Sequence, residues 1–368
     1  MLEAMLHAAG YRVGCYTSPH LLVYNERVRI AKQQVGDAEL CASFEQIERV
    51  RGDVPLTYFE FGTLAAMQCF MAQGVEVAIL EVGLGGRLDA VNVFDSDCAV
   101  VTSIDIDHTD YLGDTREKIA FEKAGIFRAN KVAVFGDLDM PAAIAAQAQK
   151  IGAQLWRLGH EFSFQAHDLQ WDFLCNGSKL SSLPFPALRG AFQLNNASTV
   201  LAALQALKQR LPVSMAAVRR GLMEVVLEGR FQVLPGRPCT ILDVAHNPHA
   251  ARSLAKNLAA MPDFPKTYGV IAMLKDKDMA GVVSALMWQV DVWLVAGIAA
   301  PRGASSAELG AVVKQAALEG DIHTFATVTE AMHHACKAAG ENDRIVAFGS
   351  FYTVAEAMGA CSQGDNSR

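Results

Sequence analysis

The sequence has no excess of basic charge: 32 Lys and Arg stand against 39 Asp and Glu, a net charge of −7. That balance opposes any large sequence-independent grip on nucleic acid or anionic lipid, though a local basic pocket stays open. Long hydrophobic runs are missing too. Stretches such as VDVWLVAGIAAP at 290–301 fall short of the ~18 apolar residues a membrane-spanning helix needs and read as buried strands. No basic region followed by an apolar run and a small-residue cleavage site opens the chain, so no secretory signal is visible and a cytoplasmic location is expected. The eight cysteines form no CxxC pair, which suggests neither a zinc site nor a disulfide framework, but reduced and mostly buried thiols. The GxSxG elbow of a serine hydrolase, the HExxH of a zinc protease and the phosphate-cradling GxxxxGK(S/T) loop are all absent from the 368 residues.

What is present is the balance of a globular protein, 51% hydrophobic and 19% charged residues, long enough for two domains at ~150 residues each. From about 239 to 358, strand-like runs (CTILDVA, TYGVIAML, VDVWLVAGI, DIHTFATV, DRIVAFGS) alternate with helical ones, the pattern of a parallel sheet covered by helices. The first part is also α/β, with buried strands in GVEVAILEVG, DCAVVTSID and KVAVFGD and a helix at GTLAAMQCFMAQG. Aromatic alternation and an Asn-Gly step over about 155–190 suggest short antiparallel strands. Helices over about 195–208 and 214–224 lead to LEGRFQVLPGRP, a Gly/Pro-punctuated candidate linker, which puts the domains at 1–228 and 229–368. The tail CSQGDNSR is expected to be disordered. Leu2, Met5, Leu6 and Ala9 lie at helical spacing with no N-cap before them, so the chain reads as opening inside a helix.

The richest segment is 81–128. Glu81 follows an apolar strand and opens the loop VGLGGRLDAVN, whose Gly83, Gly85 and Gly86 permit unusual backbone angles and close ligand approach; a tight strand-to-helix turn explains the glycines equally well. An acidic residue at the carboxyl end of a parallel strand says more, because that edge is where open α/β sheets bind ligands. Asp105, Asp107, His108 and Asp110 cluster after the next strand, a set that suits Mg²⁺ or Mn²⁺, with a solvated acidic turn as the bland alternative. Lys123 sits among Phe121, Ala124, Ile126 and Phe127, where an amine must be paired, neutralised, modified or snorkelling. In the second half Arg230, Asp243, His246 and His249 stand out around a strand end. An arginine there neutralises phosphate and an aspartate holds a ribose hydroxyl or a cation, or else both serve as linker ion pair and helix cap.

Read together, SPHL at 18–21, ERVRI at 26–30, LTYFEFGT at 56–63, LEVGLGGRLDAVN at 80–92, SIDIDHTDYLG at 103–113, EKAGIFR at 122–128, GRFQ at 229–232 and DVAHNPHA at 243–250 closely resemble the folylpolyglutamate synthase/dihydrofolate synthase family of the Mur ligase superfamily, nearest its bifunctional bacterial members. The resemblance implies an α/β fold: a P-loop-type Mur ligase central domain, here without its first strand and P-loop, and a C-terminal Rossmann-like α/β domain that is the glutamate ligase part. It implies ATP-dependent ligation of L-glutamate to dihydropteroate and to the γ-carboxyl of folates through an acyl phosphate, with ATP and two Mg²⁺ ions. Ser18, Glu81 and His108 match the family's metal ligands, and Lys123 its carbamylated lysine. Thr57, Tyr58, Phe59 and Glu60, with Leu88, Asp89 and Ala90, match segments lining the pterin site. Asn196, Arg230 and Asp243 match ATP contacts, and His246 belongs to the matching AHNP turn. His108, Lys123 and Arg230 are the residues expected to carry the chemistry. Nucleic-acid and membrane partners are not expected, and a monomer is. The missing P-loop, with the uncapped first helix, points to an N-terminally truncated reading frame ahead of a divergent chain that has lost activity. Either way little ligase activity is expected. The rivals are a non-catalytic folate-binding protein and a Mur-type cell-wall ligase.

Overall fold

The computed structural model describes residues 1–190, 192–316 and 321–365. The chain divides into two compact units, one of Met1–Ala187 with Gln193–Val225, the other of Leu188–Phe192 with the chain from Val226 onward.

The first unit holds three sheets. β1 (Val13–Tyr16), β2 (Val28–Ile30), β3 (Gln33–Gln34) and β4 (Val77–Leu80) run in the order β3-β2-β1-β4, with β1 and β4 parallel. β5 (Cys98–Val101), β6 (Val132–Phe135) and β7 (Gln154–Arg157) form an all-parallel second sheet, and β8 (Phe162–Ala166), β9 (Trp171–Cys175) and β10 (Ser178–Leu183) the antiparallel third. Around them pack α1 (Leu2–Ala8), α2 (Asp37–Arg51), α3 (Tyr58–Ala72), α4 (Thr109–Leu112), α5 (Arg116–Ala124), α6 (Ala142–Ile151), α7 (Gln193–Leu207) and α8 (Met215–Glu224).

Among the described residues β4 and β5 are end strands, each paired on one side only. Both lean on one core cluster: Val77 and Ile79 of β4 and Cys98 and Val100 of β5 pack partly buried against Met5, Leu6, Val13, Val134, Trp171 and Leu201. The sequence predicts a buried strand at GVEVAILEVG, and this is corrected. As an edge strand β4 keeps all four residues at least partly accessible, with Ala78 exposed. α1 has no side-chain cap and owes its place to packing, since Met5 and Leu6 are buried and α8 offers Gly221. A Cβ on Gly221 would sit 2.7 Å from the Met5 backbone nitrogen, so the glycine sets how closely the two helices approach.

The second unit is built on β11 (Gln232–Leu234), β12 (Cys239–Asp243), β13 (Thr267–Ile271), β14 (Val292–Ala296), β15 (Asp321–Phe325) and β16 (Arg344–Phe348), ordered β11-β12-β16-β13-β14-β15 and parallel except for β11. Its helices are α9 (Pro248–Ala259), α10 (Met279–Leu286), α11 (Ser306–Ala316), α12 (Val328–Ala338) and α13 (Phe351–Asp365). β13, β14 and β16 are buried along their whole length, which is why they read as unbroken apolar runs rather than alternating ones. Ile241, Ile271, Trp293, Val346 and Phe348 form the centre.

Three further expectations are corrected. The candidate linker at 227–238 contains β11, which pairs antiparallel with β12. The tail is helical through Asp365, because Val354, Ala357 and Ala360 give α13 a buried stripe that carries its polar end along; residues 366–368 of that tail lie outside the described residues. Among the described residues the cysteines form no disulfide, but only Cys15, Cys69 and Cys175 are buried, and Cys41 and Cys336 are exposed. Among the described residues no helix is long and apolar enough to cross a membrane.

Candidate active site

The loop after β4 ties together the segments that matter. Glu81 continues the β1–β4 ladder, its N–H donating to the Tyr16 carbonyl at 2.9 Å, and its carboxylate Oε2 accepts the Ser18 N–H at 2.9 Å. A Cβ on Gly83 would fall 2.6 Å from the Phe59 ring, one on Gly85 2.8 Å from Leu112, and one on Gly86 2.9 Å from the Glu122 carbonyl oxygen. The glycines are therefore points of contact: the loop touches the first turn of α3, the helix that follows His108, and the helix that carries Lys123. Gly85 and Gly86 also adopt φ of +69° and +155°, which a side chain resists. Arg87 fastens the loop to α5, its backbone N–H donating to the Glu122 carbonyl at 2.8 Å and its guanidinium gripping the Glu122 carboxylate through Nε and Nη2. Asp89 closes the loop on itself, accepting the N–H groups of Leu84 at 2.8 Å and Val91 at 3.0 Å. Leu88 is left 81% exposed, an apolar side chain presented at the surface beside Ala90.

His108 caps α4 in the left-handed conformation, φ 52° and ψ 44°, a strained geometry of the kind that clusters at functional sites. Its N–H donates to Asp107 Oδ1 at 2.8 Å. Lys123 lies in the last turn of α5, whose Ile119, Ala120 and Ala124 are buried. Burial pushes the Lys123 ammonium below its usual range, partly opposed by the negative charge of Asp107. His108 and Lys123 thus share Asp107 as a neighbour.

The segment Thr57–Glu60 begins α3 four residues ahead of the helix expected at Gly62, because it is a capping box. Thr57 Oγ1 accepts the Glu60 N–H at 3.3 Å, and Glu60 Oε2 accepts the Thr57 N–H at 2.7 Å. The Thr-x-x-Glu pattern is a helix-start signal readable in sequence. The Thr57 N–H first, and the Thr57 hydroxyl second, hold Glu60's carboxyl below its ordinary range, and the capped turn leaves Tyr58, 65% exposed, at the helix mouth.

Asn196 belongs to α7, its Nδ2 donating to Gln193 Oε1 at 3.4 Å. Arg230, Asp243 and His246 belong to the second unit. Asp243 ends β12 and accepts the N–H groups of Phe231 and Ala245, both at 2.8 Å. Burial raises its carboxyl above the usual range against those bonds and the nearby Arg230 charge. It clamps Gly229–Phe231, where Gly229 and Phe231 have positive φ, and so fixes Arg230, whose guanidinium lies 5.3 Å from the Phe351 ring centroid. His246 Nδ1 is 2.9 Å from the Val244 carbonyl, so that nitrogen carries the proton. Asn247 caps α9, accepting the Ala250 N–H at 2.9 Å.

Comparison with known proteins adds to this geometry. Residues 44–204 match the Mur ligase middle domain and residues 229–351 the Mur ligase glutamate ligase domain. The dihydrofolate synthase/folylpolyglutamate synthase of Escherichia coli K12 is 46% identical over 359 residues, 97% of this chain and 82% of that protein. The chain belongs to the dihydrofolate synthase/folylpolyglutamate synthase family. The family's Haemophilus influenzae member is 43% identical over 97% of this chain and 84% of its own. The structure of E. coli FolC in complex with DHPP and ADP superposes with a TM-score of 0.94 at 45% identity, covering 99% of this chain and 85% of that one. The bifunctional family enzyme of Yersinia pestis complexed with AMPPNP and Mn ion gives 0.91 at 48%, covering 98% and 85%. Family membership makes the chain one of the ATP-dependent Mur-type ligases. The Arg87–Glu122 clamp has no signal in the sequence, where its two residues stand 35 positions apart.

Proposed function

We propose that the chain joins L-glutamate to dihydropteroate and to the γ-carboxyl of reduced folates, by way of an acyl phosphate and at the expense of ATP. The observation that carries the reading is the glycine loop, which holds Phe59, the turn after His108 and the Lys123 helix against one short stretch of backbone directly after Glu81. A carboxylate is a poor electrophile. Its oxygen attacks the γ-phosphorus, ADP departs, the glutamate amine attacks the acyl carbon, and phosphate leaves. Thr57–Glu60 and Leu88–Ala90 would line the pterin, which suits the exposed apolar Tyr58 and Leu88. Asn196, Arg230, Asp243 and His246 would meet the nucleotide, with Asp243 holding the Arg230 loop in place for phosphate.

Divalent cations would be held by Ser18, Glu81 and His108. Among the described residues no three His, Cys, Asp or Glu side chains come together to hold a metal ion, so a cation beside Glu81 needs donors of other kinds. The serine that Glu81 binds, nucleotide phosphate, and Lys123 converted to a carbamate would supply oxygens of the hard type Mg²⁺ and Mn²⁺ prefer. Burial favours that conversion, since a lowered ammonium pKa enlarges the neutral amine fraction that adds to CO₂ with release of a proton. Bound cations would supply charge neutralisation for the shifting phosphoryl group.

Calorimetry with dihydropteroate and a coupled ADP-release assay with dihydropteroate, tetrahydrofolate and a UDP-muramoyl substrate test the assignment. Binding of neither pterin, or preference for the muramoyl compound, overturns it.

A further inference from the structure

Among the described residues, Arg27 is a cation without a protein counter-charge beside the proposed pterin segment. It ends the turn Tyr24–Arg27, and its Nε donates to His20 Nδ1 at 2.8 Å. Its guanidinium carbon lies 5.6 Å from the ring centroids of both Tyr24 and Tyr58. The neighbouring Glu26 does not pair with it, since that carboxylate accepts the N–H groups of Leu21, Leu22 and Val23 at 2.6 to 2.8 Å. His20 cannot compensate the charge either. With Nδ1 accepting the Arg27 Nε–H, the imidazole is neutral and protonated on Nε2.

This arginine is fixed rather than free. Two tyrosine faces and one imidazole orient the guanidinium, and Tyr24 is itself braced edge-on by Phe44 and Tyr58, with ring centroids 5.8 and 6.0 Å away. Through His20 the group stands two residues from Ser18, which Glu81 holds. Through Tyr58 it stands next to Phe59, the ring that supports Gly83. A planar fork held in one orientation beside a half-exposed aromatic wall is a receptor for a carboxylate.

We propose that Arg27 binds the non-reacting α-carboxylate of a folate's glutamyl chain and thereby selects glutamylated substrates over dihydropteroate. The inference rests on the functional reading above. Dihydropteroate has a single carboxylate, the one that reacts, whereas a folate carries the α-carboxylate in addition, so a dedicated cation distinguishes them.

The test is equilibrium binding of dihydropteroate and of monoglutamyl tetrahydrofolate to the full chain and its Arg27→Met and Arg27→Lys variants, followed by tyrosine and tryptophan fluorescence, with thermal unfolding alongside. Losing a charge-assisted contact weakens affinity by about tenfold or more, so Arg27→Met is expected to weaken tetrahydrofolate by that factor and leave dihydropteroate as it was. Arg27→Lys is expected to recover part of the loss and keeps the test usable if the Met variant unfolds. Equal losses for both ligands, no loss for either, or a Lys variant no better than Met overturns the proposal. A wild-type chain that binds neither ligand overturns the functional reading instead.

Discussion

Replacing Gly86 with alanine tests whether the loop after β4 depends on close contact with α5. Gly86 has φ +155°, and a Cβ there would lie 2.9 Å from the Glu122 carbonyl oxygen, 3.0 Å from the Lys123 carbonyl oxygen and 3.0 Å from Ile126 Cγ2. Two of those three atoms are helix backbone and cannot swing aside. The backbone conformation costs ~1–3 kcal/mol and the overpacking a similar ~1–3 kcal/mol, so ~3 kcal/mol is a fair expectation. For a unit of this size that corresponds to a fall in Tm of roughly 6–12 °C. Relief requires the loop to lift, which stretches the Arg87–Glu122 grip and moves Leu88–Ala90, so dihydropteroate affinity should fall with stability. Gly74→Ala is the control: Gly74 has φ +62° with nothing within 4 Å of its Cβ position, and only the backbone cost of ~1 kcal/mol applies. Thermal unfolding of both variants decides. If Gly86→Ala melts no lower than Gly74→Ala, the contact with α5 is not what the glycine is for.

Thr57→Ala removes the side-chain cap of α3 and should cost ~1 kcal/mol in denaturant unfolding, with Tyr58 less ordered by fluorescence quenching. The folded-state pKa of Lys123 lies below its unfolded value of 10.5, so the unfolded chain holds this proton more tightly and stability climbs as pH rises through the window between the two. Lys123→Met, compared with wild type by urea unfolding in carbonate-free buffer, should flatten that climb and be no less stable at pH 7; an unchanged slope refutes the burial argument. Asp243→Asn keeps one acceptor but sets an amide N–H₂ against the second backbone donor, which should cost the second unit ~1–3 kcal/mol and loosen the 229–231 segment in hydrogen exchange. A variant as protected as wild type would show that Asp243 does not hold that loop.

Much of the fold was legible because burial leaves marks in composition. β13, β14 and β16 read as strands since both faces are covered, and β8–β10 announced themselves by aromatic alternation. What hid were features set by partners distant in sequence. β4 looks as apolar as any central strand, and only its missing neighbour makes it an edge. β11 hid within a Gly/Pro-rich stretch because it is three residues long and takes its pairing from β12. α13 runs into a polar tail because its buried stripe lies earlier. At the site, the motif segments were visible as segments, and Thr-x-x-Glu could have given the start of α3. The contacts of Gly83, Gly85 and Gly86 with three separate elements were not, since a glycine's neighbours are invisible until the chain folds. The isolation of Arg27 was equally hidden, because Glu26, its neighbour in sequence, turns out to bond backbone instead.

The floor that β4 and β5 share carries a consequence of its own. Val77 and Ile79 of one sheet and Cys98 and Val100 of another rest on the same buried side chains, Leu6 and Val134 among them. Loosening that floor at either residue would unsettle both sheets at once, so the two are expected to open together in hydrogen exchange rather than in turn.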